Sequence, residues 1–194
     1  VLSRGYKRKS KGFVLADDDI EMKMIGDEPY QMKQKYPGIT VAVDKDRCHG
    51  IEQICSSKNT KNTDVILLDD AYQHRYVKAG INILLVDYHR MLASDKLLPA
   101  GRLREHEDGK SRADMVIITK CPSDLKPMEF RVITKAMDLY PYQQLYFTTL
   151  KYKDLAPIYG GDYKTLDSIA EYNILLLTGI ASPRQIMEDL KPYA

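Results

Sequence analysis

Val65-Ile66-Leu67-Leu68-Asp69-Asp70-Ala71-Tyr72-Gln73-His74-Arg75 is an apolar run that ends in two carboxylates and then a polar cluster. Such a run reads as a parallel strand covered on both faces. In an open α/β sheet, ligands gather at the carboxyl ends of the strands. That rule puts Asp69 and Asp70 at the ligand edge, with Gln73, His74 and Arg75 on the loop behind them. Adjacent carboxylates are costly to hold without a cation, and Mg²⁺ shared with phosphate oxygens is a common answer. Taken alone, the same run also fits a solvated turn after a strand.

Working outward, short apolar runs recur at Gly12–Ala16, Ile39–Val43, Ile81–Val86, Met115–Thr119 and Asn173–Thr178. Helix-like segments lie between several of them: Gly26–Lys35, Asp46–Ser56, and Ser123–Leu139 with Ser123 as its cap. Strands alternating with helices predict an α/β fold, a parallel sheet with helices on both faces. The pattern changes near Pro141. Gln144–Tyr152 alternates polar and apolar residues, and Leu155–Tyr159 does so more weakly before Gly160-Gly161, which reads as an antiparallel ribbon with one wet face. Asn173–Thr178 then returns to the buried-strand style, with Ser182-Pro183 opening a helix. The expected organisation is a core over 1–141, a β-ribbon linker over 142–168 and the start of a second α/β domain over 169–194.

Composition narrows the class. With 44% hydrophobic and 29% charged residues and a net charge of +2 over 194 residues, the chain is globular and does not read as a nucleic-acid binder. Arg4, Lys7, Arg8, Lys9 and Lys11 crowd the start, a cluster suited to phosphate or an anionic surface and equally to a solvated loop. Cys48, Cys55 and Cys121 are odd in number and scattered, so no disulfide framework is expected and reduced thiols fit a cytosolic compartment. Cys48 beside His49 lacks a second metal-type pair, which argues against zinc. No signal peptide or membrane span is visible. An opening without methionine on what reads as the tail of a strand, and a close just after a helix-like segment, predict a fragment of a longer protein.

Three further groups carry chemistry. Gly26-Asp27-Glu28-Pro29 sets a second acidic pair at the start of a helix, where capping and ligand contact are equally good readings. Arg102 and Arg104 in Leu98-Pro-Ala-Gly-Arg-Leu-Arg-Glu105 suit bidentate anion binding, and so would ordinary salt bridges. Arg47 is a further cation just past a strand end, and Ile117-Ile118-Thr119-Lys120 has the form of a strand-plus-lysine element beside a nucleotide base. No G-x-x-x-x-G-K-[ST] loop occurs, so a P-loop, if there is one, lies upstream of Val1.

In order along the chain, Leu-Ser-Arg-Gly-Tyr-x-Arg-Lys-Ser (2–10), Gly-Asp-Glu-Pro (26–29), Asp-Arg (46–47), Leu-Asp-Asp-x-Tyr-Gln-His-Arg (68–75), Leu-Leu-Pro-Ala-Gly-x-Leu-Arg-Glu (97–105), Arg-Ala-Asp (112–114) and Thr-Gly-Ile-Ala-Ser-Pro (178–183) resemble the tetraacyldisaccharide 4′-kinases, the lipid A kinases of Gram-negative bacteria. The resemblance implies a P-loop NTPase-like three-layer fold and two α/β domains joined by a β-ribbon. It implies transfer of the γ-phosphoryl of ATP to the 4′-hydroxyl of lipid A disaccharide 1-phosphate, with Mg²⁺. The enzyme would sit peripherally on the cytoplasmic face of the inner membrane. By motif, Asp69 and Asp70 would serve the metal, Asp27 with Glu28 the catalytic base system, and Asp70, Gln73 and His74 the reacting centre. Arg4, Arg47, Arg104 and Glu105 would fall near substrate or phosphates. Ala71-Tyr72 stands where the family usually has Gly-Phe. The Walker A loop, the N-terminal membrane-associating helix and the C-terminal histidine motif are missing, so these 194 residues alone are not expected to turn over. A P-loop GTPase or metallochaperone-like protein would use the same carboxylates but leaves 26–29 and 103–105 unexplained. A non-catalytic phospholipid-binding domain would use only the basic start.

Overall fold

The computed structural model describes residues 1–92, 95–180 and 183–193. It forms two units, Val1–Thr148 and Thr149–Ala194.

In the first unit the short strands β1 (Leu2–Ser3), β2 (Val14–Leu15) and β3 (Ala42–Val43) make one sheet in the order β1-β3-β2. β1 runs parallel to β3, and β2 antiparallel to it. Two helices, α1 (Met22–Ile25) and α2 (Asp27–Lys35), fill the β2–β3 connection, and α3 (Arg47–Ser56) follows β3. Ile25, Val41 and Val43 are buried on one side of this sheet, and Leu2, Ala42 and Ile54 on the other. The second sheet is all parallel in the order β4 (Ile83–Asp87), β5 (Met115–Thr119), β6 (Gln144–Phe147). A crossover through α4 (Pro127–Met137) joins its last two strands.

The core under β4 and β5 is built from Val86, Val116, Ile118, Ile133 and Met137. β-branched side chains at alternate positions of β5 pack against the apolar stripe of α4, as a half-buried pleat requires. Ile118 is fully buried. Truncating such an isoleucine loses its transfer energy and leaves a cavity, so Ile118→Ala is expected to cost about 2–5 kcal/mol. Urea unfolding of the full-length protein measures this, and a midpoint unchanged from wild type would contradict the packing.

Five differences from the sequence reading have physical causes. Two three-stranded sheets replace the single sheet covered on both faces, and Ile81 just before β4 and Ile83 and Leu85 on it stay exposed. Val65–Leu68 is extended but makes only one parallel bridge, Leu68 to Leu2, with Val65 and Leu67 exposed. β6 pairs parallel with β5, not antiparallel, because the α4 crossover returns the chain to the same edge. Helix α4 begins at Pro127 rather than Ser123, since proline suits the first helical position and Glu129 Oε2 accepts from the Lys126 N–H at 2.8 Å. Asn173–Thr178 forms no strand and Leu175 and Leu177 lie exposed, because no described segment runs alongside to pair with it.

In the second unit, Leu155 and Lys164 form an isolated antiparallel bridge. A 3-10 turn at Leu166–Glu171 and helix α5 (Pro183–Leu190) follow. The Tyr152 hydroxyl donates to Asp189 Oδ2 at 2.8 Å. Burial, and then the Asp189 carboxylate, push the Tyr152 phenol up to about 12. Ala181 and Ser182, and with them the expected cap of α5, lie outside the described residues.

Candidate functional site

Three chain segments end side by side in the first unit. The Asp44 N–H donates to Ser3 O at 3.0 Å and the Asp69 N–H to Leu2 O at 3.1 Å, so the ends of β1, β3 and the Val65–Leu68 run form one edge. Asp46 caps α3 by accepting from the N–H groups of Cys48 and His49, at 2.9 and 3.2 Å. This cap fixes Arg47 in the first turn of α3 and at the shared edge. Its Nη1 donates to Asp44 O at 2.7 Å and its Nη2 to Asp69 O at 3.4 Å, while Nε is sealed from solvent without a partner among the described residues. Only 3% of Arg47 is exposed. Burial, and then the nearby charge of Arg4, hold its guanidinium below the ordinary value against the pull of Asp69, Asp44 and Asp70. A buried arginine tying two strand ends together fixes their spacing and leaves positive potential between the carboxylates. Behind it, His49 Nδ1 lies 2.7 Å from Asp44 Oδ2, and that hydrogen bond raises the imidazole pKa above 6.5.

Asp70 turns the chain away from the edge in a left-handed conformation, φ 42°, which aspartate tolerates better than most residues. Arg104 Nη1 donates to both of its oxygens, at 2.7 and 2.8 Å, and this pairing raises the guanidinium pKa. Next to it Glu105 gathers three donors. Arg112 Nη2 lies 2.8 and 2.7 Å from its two oxygens, Arg75 Nη2 3.1 Å and Gln73 Nε2 3.4 Å away. The Arg112 guanidinium also stacks 4.8 Å over the Tyr72 ring, whose hydroxyl donates to Gly109 O at 2.8 Å. The loop 69–75, the segment 104–105 and the 3-10 turn Glu107–Arg112 are thereby stapled together.

Burial pushes the Glu105 carboxyl up, but the hydrogen bonds from Arg112 and Arg75 outweigh it and hold the group below 4.5. A depressed carboxylate adds stability above its unfolded pKa and loses it as pH falls through the folded one. The wild-type protein should therefore lose stability below about pH 4.5 more steeply than Glu105→Gln does. Urea midpoints measured across that range check this, and parallel pH profiles would contradict it.

The two early motifs meet as well. Gly5 and Gly26 both have positive φ, 67° and 94°, and a Cβ on Gly26 would stand 2.9 Å from Tyr6 O. Only glycine allows that approach. The Ser10 hydroxyl donates to Met24 O at 2.5 Å and the Lys9 N–H to Lys23 O at 2.8 Å, so the basic loop is docked on α1. Asp27 and Glu28 occupy the first turn of α2, both exposed, and hydrogen-bond to none of the other candidate residues among those described.

The structure thus joins Asp70, Gln73, Arg104 and Glu105 in one network, and sets Asp69, Arg47 and Arg4 at the adjoining strand ends. His74 falls elsewhere, beside Cys48 and Asp46. Sequence reasoning missed Arg75, Arg112 and Tyr72 as members of the network. Arg112 had a signal, its place in the Arg-Ala-Asp that leads straight into β5. Lys120, read as a base-flanking residue, lies 2.5 Å from Asp87 Oδ2 at the end of β4. Asp69 and Asp70 are an oxygen-only pair, and the Asp69 carboxylate makes no hydrogen bond among the described residues, a donor set that suits Mg²⁺.

Parallel strands whose carboxyl ends gather paired carboxylates and guanidinium groups define an α/β protein with a charged strand-end edge. The family model for tetraacyldisaccharide-1-P 4′-kinase matches residues 1–193. The chain is 65% identical over 195 residues to the tetraacyldisaccharide 4′-kinase of Phocaeicola vulgatus, covering 100% of this chain and 53% of that protein. It is 54% identical over 202 residues to that of Bacteroides thetaiotaomicron, with the same coverage, 100% and 53%. To that of Flavobacterium johnsoniae it is 49% identical, over 98% of this chain and 55% of the relative. The chain belongs to the tetraacyldisaccharide-1-P 4′-kinase family. It spans about half the length of the curated relatives it matches. No solved structure matches it.

Proposed function

We propose that the full-length protein transfers the γ-phosphoryl group of ATP to the 4′-hydroxyl of a lipid A disaccharide 1-phosphate. The observation that carries this reading is the family match over residues 1–193, joined to an Asp69–Asp70 edge that is interlocked with Arg104. In this reading residues 1–141 belong to a P-loop NTPase-like three-layer core, 142–168 to a linker and 169–194 to the start of a second domain. The protein works peripherally at the cytoplasmic face of the inner membrane. No helix among the described residues is long and apolar enough to cross a membrane. The basic segment Arg4–Lys11 supports contact with an anionic surface.

Phosphoryl transfer asks a protein mostly for positioning and charge neutralisation. Asp69 and Asp70 are the residues that would hold Mg²⁺, which would help neutralise the charge of the phosphate oxygens. Arg104, paired with Asp70 here, keeps its cation beside the carboxylates and offers its remaining N–H groups to a phosphate. Arg47 with Arg4 supplies positive potential on the other side of the edge. Glu105 orients Arg75 and Arg112, and Gln73, linked to both Arg104 and Glu105, holds the loop that carries Asp70. His74, at the end of the same loop, stands beside Cys48 and Asp46 and serves the transfer only by turning toward the reacting centre. Asp27, with Glu28 beside it, accepts a hydrogen bond from the sugar hydroxyl and takes up its proton.

ATP consumption by the full-length protein, with the disaccharide 1-phosphate or with its 4′-deoxy analogue, tests the acceptor. Consumption is expected with the first alone. Equal rates with both would overturn the assignment.

A further inference from the structure

Asp46, Cys48 and His74 converge in the first unit, with one ligand atom of each within 4.8 Å of the others. They line a cavity of about 580 Å³ together with Gly12, Asp44, Lys45 and Tyr76. His74 Nε2 is sealed from solvent and has no hydrogen-bond partner among the described residues. A buried imidazole nitrogen left without a partner is unfavourable unless something pairs with it. The Cys48 thiol donates to Tyr76 O at 3.6 Å, a weak hydrogen bond of the kind sulfur makes. Asp46 spends Oδ1 on capping α3, which holds its carboxylate in place and leaves the second oxygen for a further role.

We propose that Asp46, Cys48 and His74 form a second metal site, selective for a borderline-soft divalent cation such as Zn²⁺ and distinct from the Mg²⁺ carboxylates. The donor set decides the selectivity. Oxygen, thiolate and imidazole together match Zn²⁺, whereas Mg²⁺ takes oxygen alone. In a tetrahedral Zn²⁺ site with bonds of about 2.0–2.3 Å, neighbouring ligand atoms stand roughly 3.3–3.8 Å apart. Closing from within 4.8 Å to that spacing takes small side-chain rotations and no change of fold. Three protein ligands leave the fourth position open to the cavity, for water or a phosphate oxygen. Binding releases the thiol proton to solvent. Occupancy also pins His74 beside Cys48 and Asp46, so it cannot turn toward the reacting centre and the metal acts as an inhibitor; this consequence rests on the kinase reading, while the binding does not.

Co²⁺ is the probe for the site, because a cobalt–thiolate bond gives an intense near-ultraviolet band. Titrating the full-length protein with Co²⁺ is expected to raise that band, and one equivalent of Zn²⁺ should discharge it. Cys48→Ser should abolish the band, and Asp46→Asn should weaken binding at least as much as the roughly 10–100-fold that loss of an outer-shell partner costs. No thiolate band in wild type, or an undiminished band in Cys48→Ser, overturns the site. In the second arm, Zn²⁺ added at saturating Mg²⁺ should inhibit wild-type turnover and leave Cys48→Ser, with its normal basal rate, at least tenfold less sensitive. Equal sensitivity of the two overturns the inhibitory role. A wild type that binds Co²⁺ through Cys48 but never turns over sinks the kinase reading and leaves the metal site standing.

Discussion

Asp70→Asn in the full-length protein is expected to lower kcat by about 10²–10³-fold, the usual loss when one preorganised group that handles transition-state charge is removed. The substitution isolates charge. Asparagine enters the left-handed backbone region as readily as aspartate, so φ 42° is kept without strain. Asp70 is exposed, and its pair with Arg104 is an exposed one, worth about 0–1 kcal/mol. Folding should therefore be nearly unchanged while turnover collapses. Steady-state kinetics beside a thermal melt make the comparison. Near-normal turnover in a folded variant would reject the role given to Asp70, whereas a lowered melting temperature would make the pair structural.

The second large effect is at Asp27. Its carboxylate lies exposed at the start of α2, where a negative charge gains about 0.3–1 kcal/mol from the helix and no more. Losing it should hardly disturb the fold. If Asp27 takes the hydroxyl proton, Asp27→Asn should cut kcat by roughly 10²–10⁴-fold, the range for general-base catalysis, with little change in KM for ATP. A rise in KM with kcat intact would instead make Asp27 a binding residue. Glu28→Gln, one residue on, should lose less.

What the sequence made legible follows from how local each signal is. β5 appeared residue for residue, because a β-branched run between Asp114 and Lys120 has few other uses. The helix-like segment 46–56 was readable for the same reason, and the structure forms it as α3 with Asp46 as the cap. The partner of a strand is not local. Gln144–Phe147 alternates as an antiparallel ribbon would, and only the placement of α4 makes it parallel. Val65–Leu68 was legible as extended and as the carrier of Asp69 and Asp70, but not as half exposed, since burial depends on what lies beside it. The same limit governs the site. Glu105 and Arg104 stood out in a Pro/Gly-bounded loop, yet that Glu105 meets Arg112 and Arg75 rather than ligand is set by the turn between 105 and 112. Cys48 had no visible metal partner because His74 reaches it from another loop.

The proposed function is phosphorylation of the 4′ position at an edge built on Asp69 and Asp70. Its most direct test is to incubate purified full-length protein with γ-labelled ATP, Mg²⁺ and lipid A disaccharide 1-phosphate, and to locate the label in the product. Label is expected at the 4′-oxygen in wild type, and nearly none in Asp70→Asn. A folded full-length protein that labels nothing, or that labels the acceptor equally well without Asp70, would contradict it.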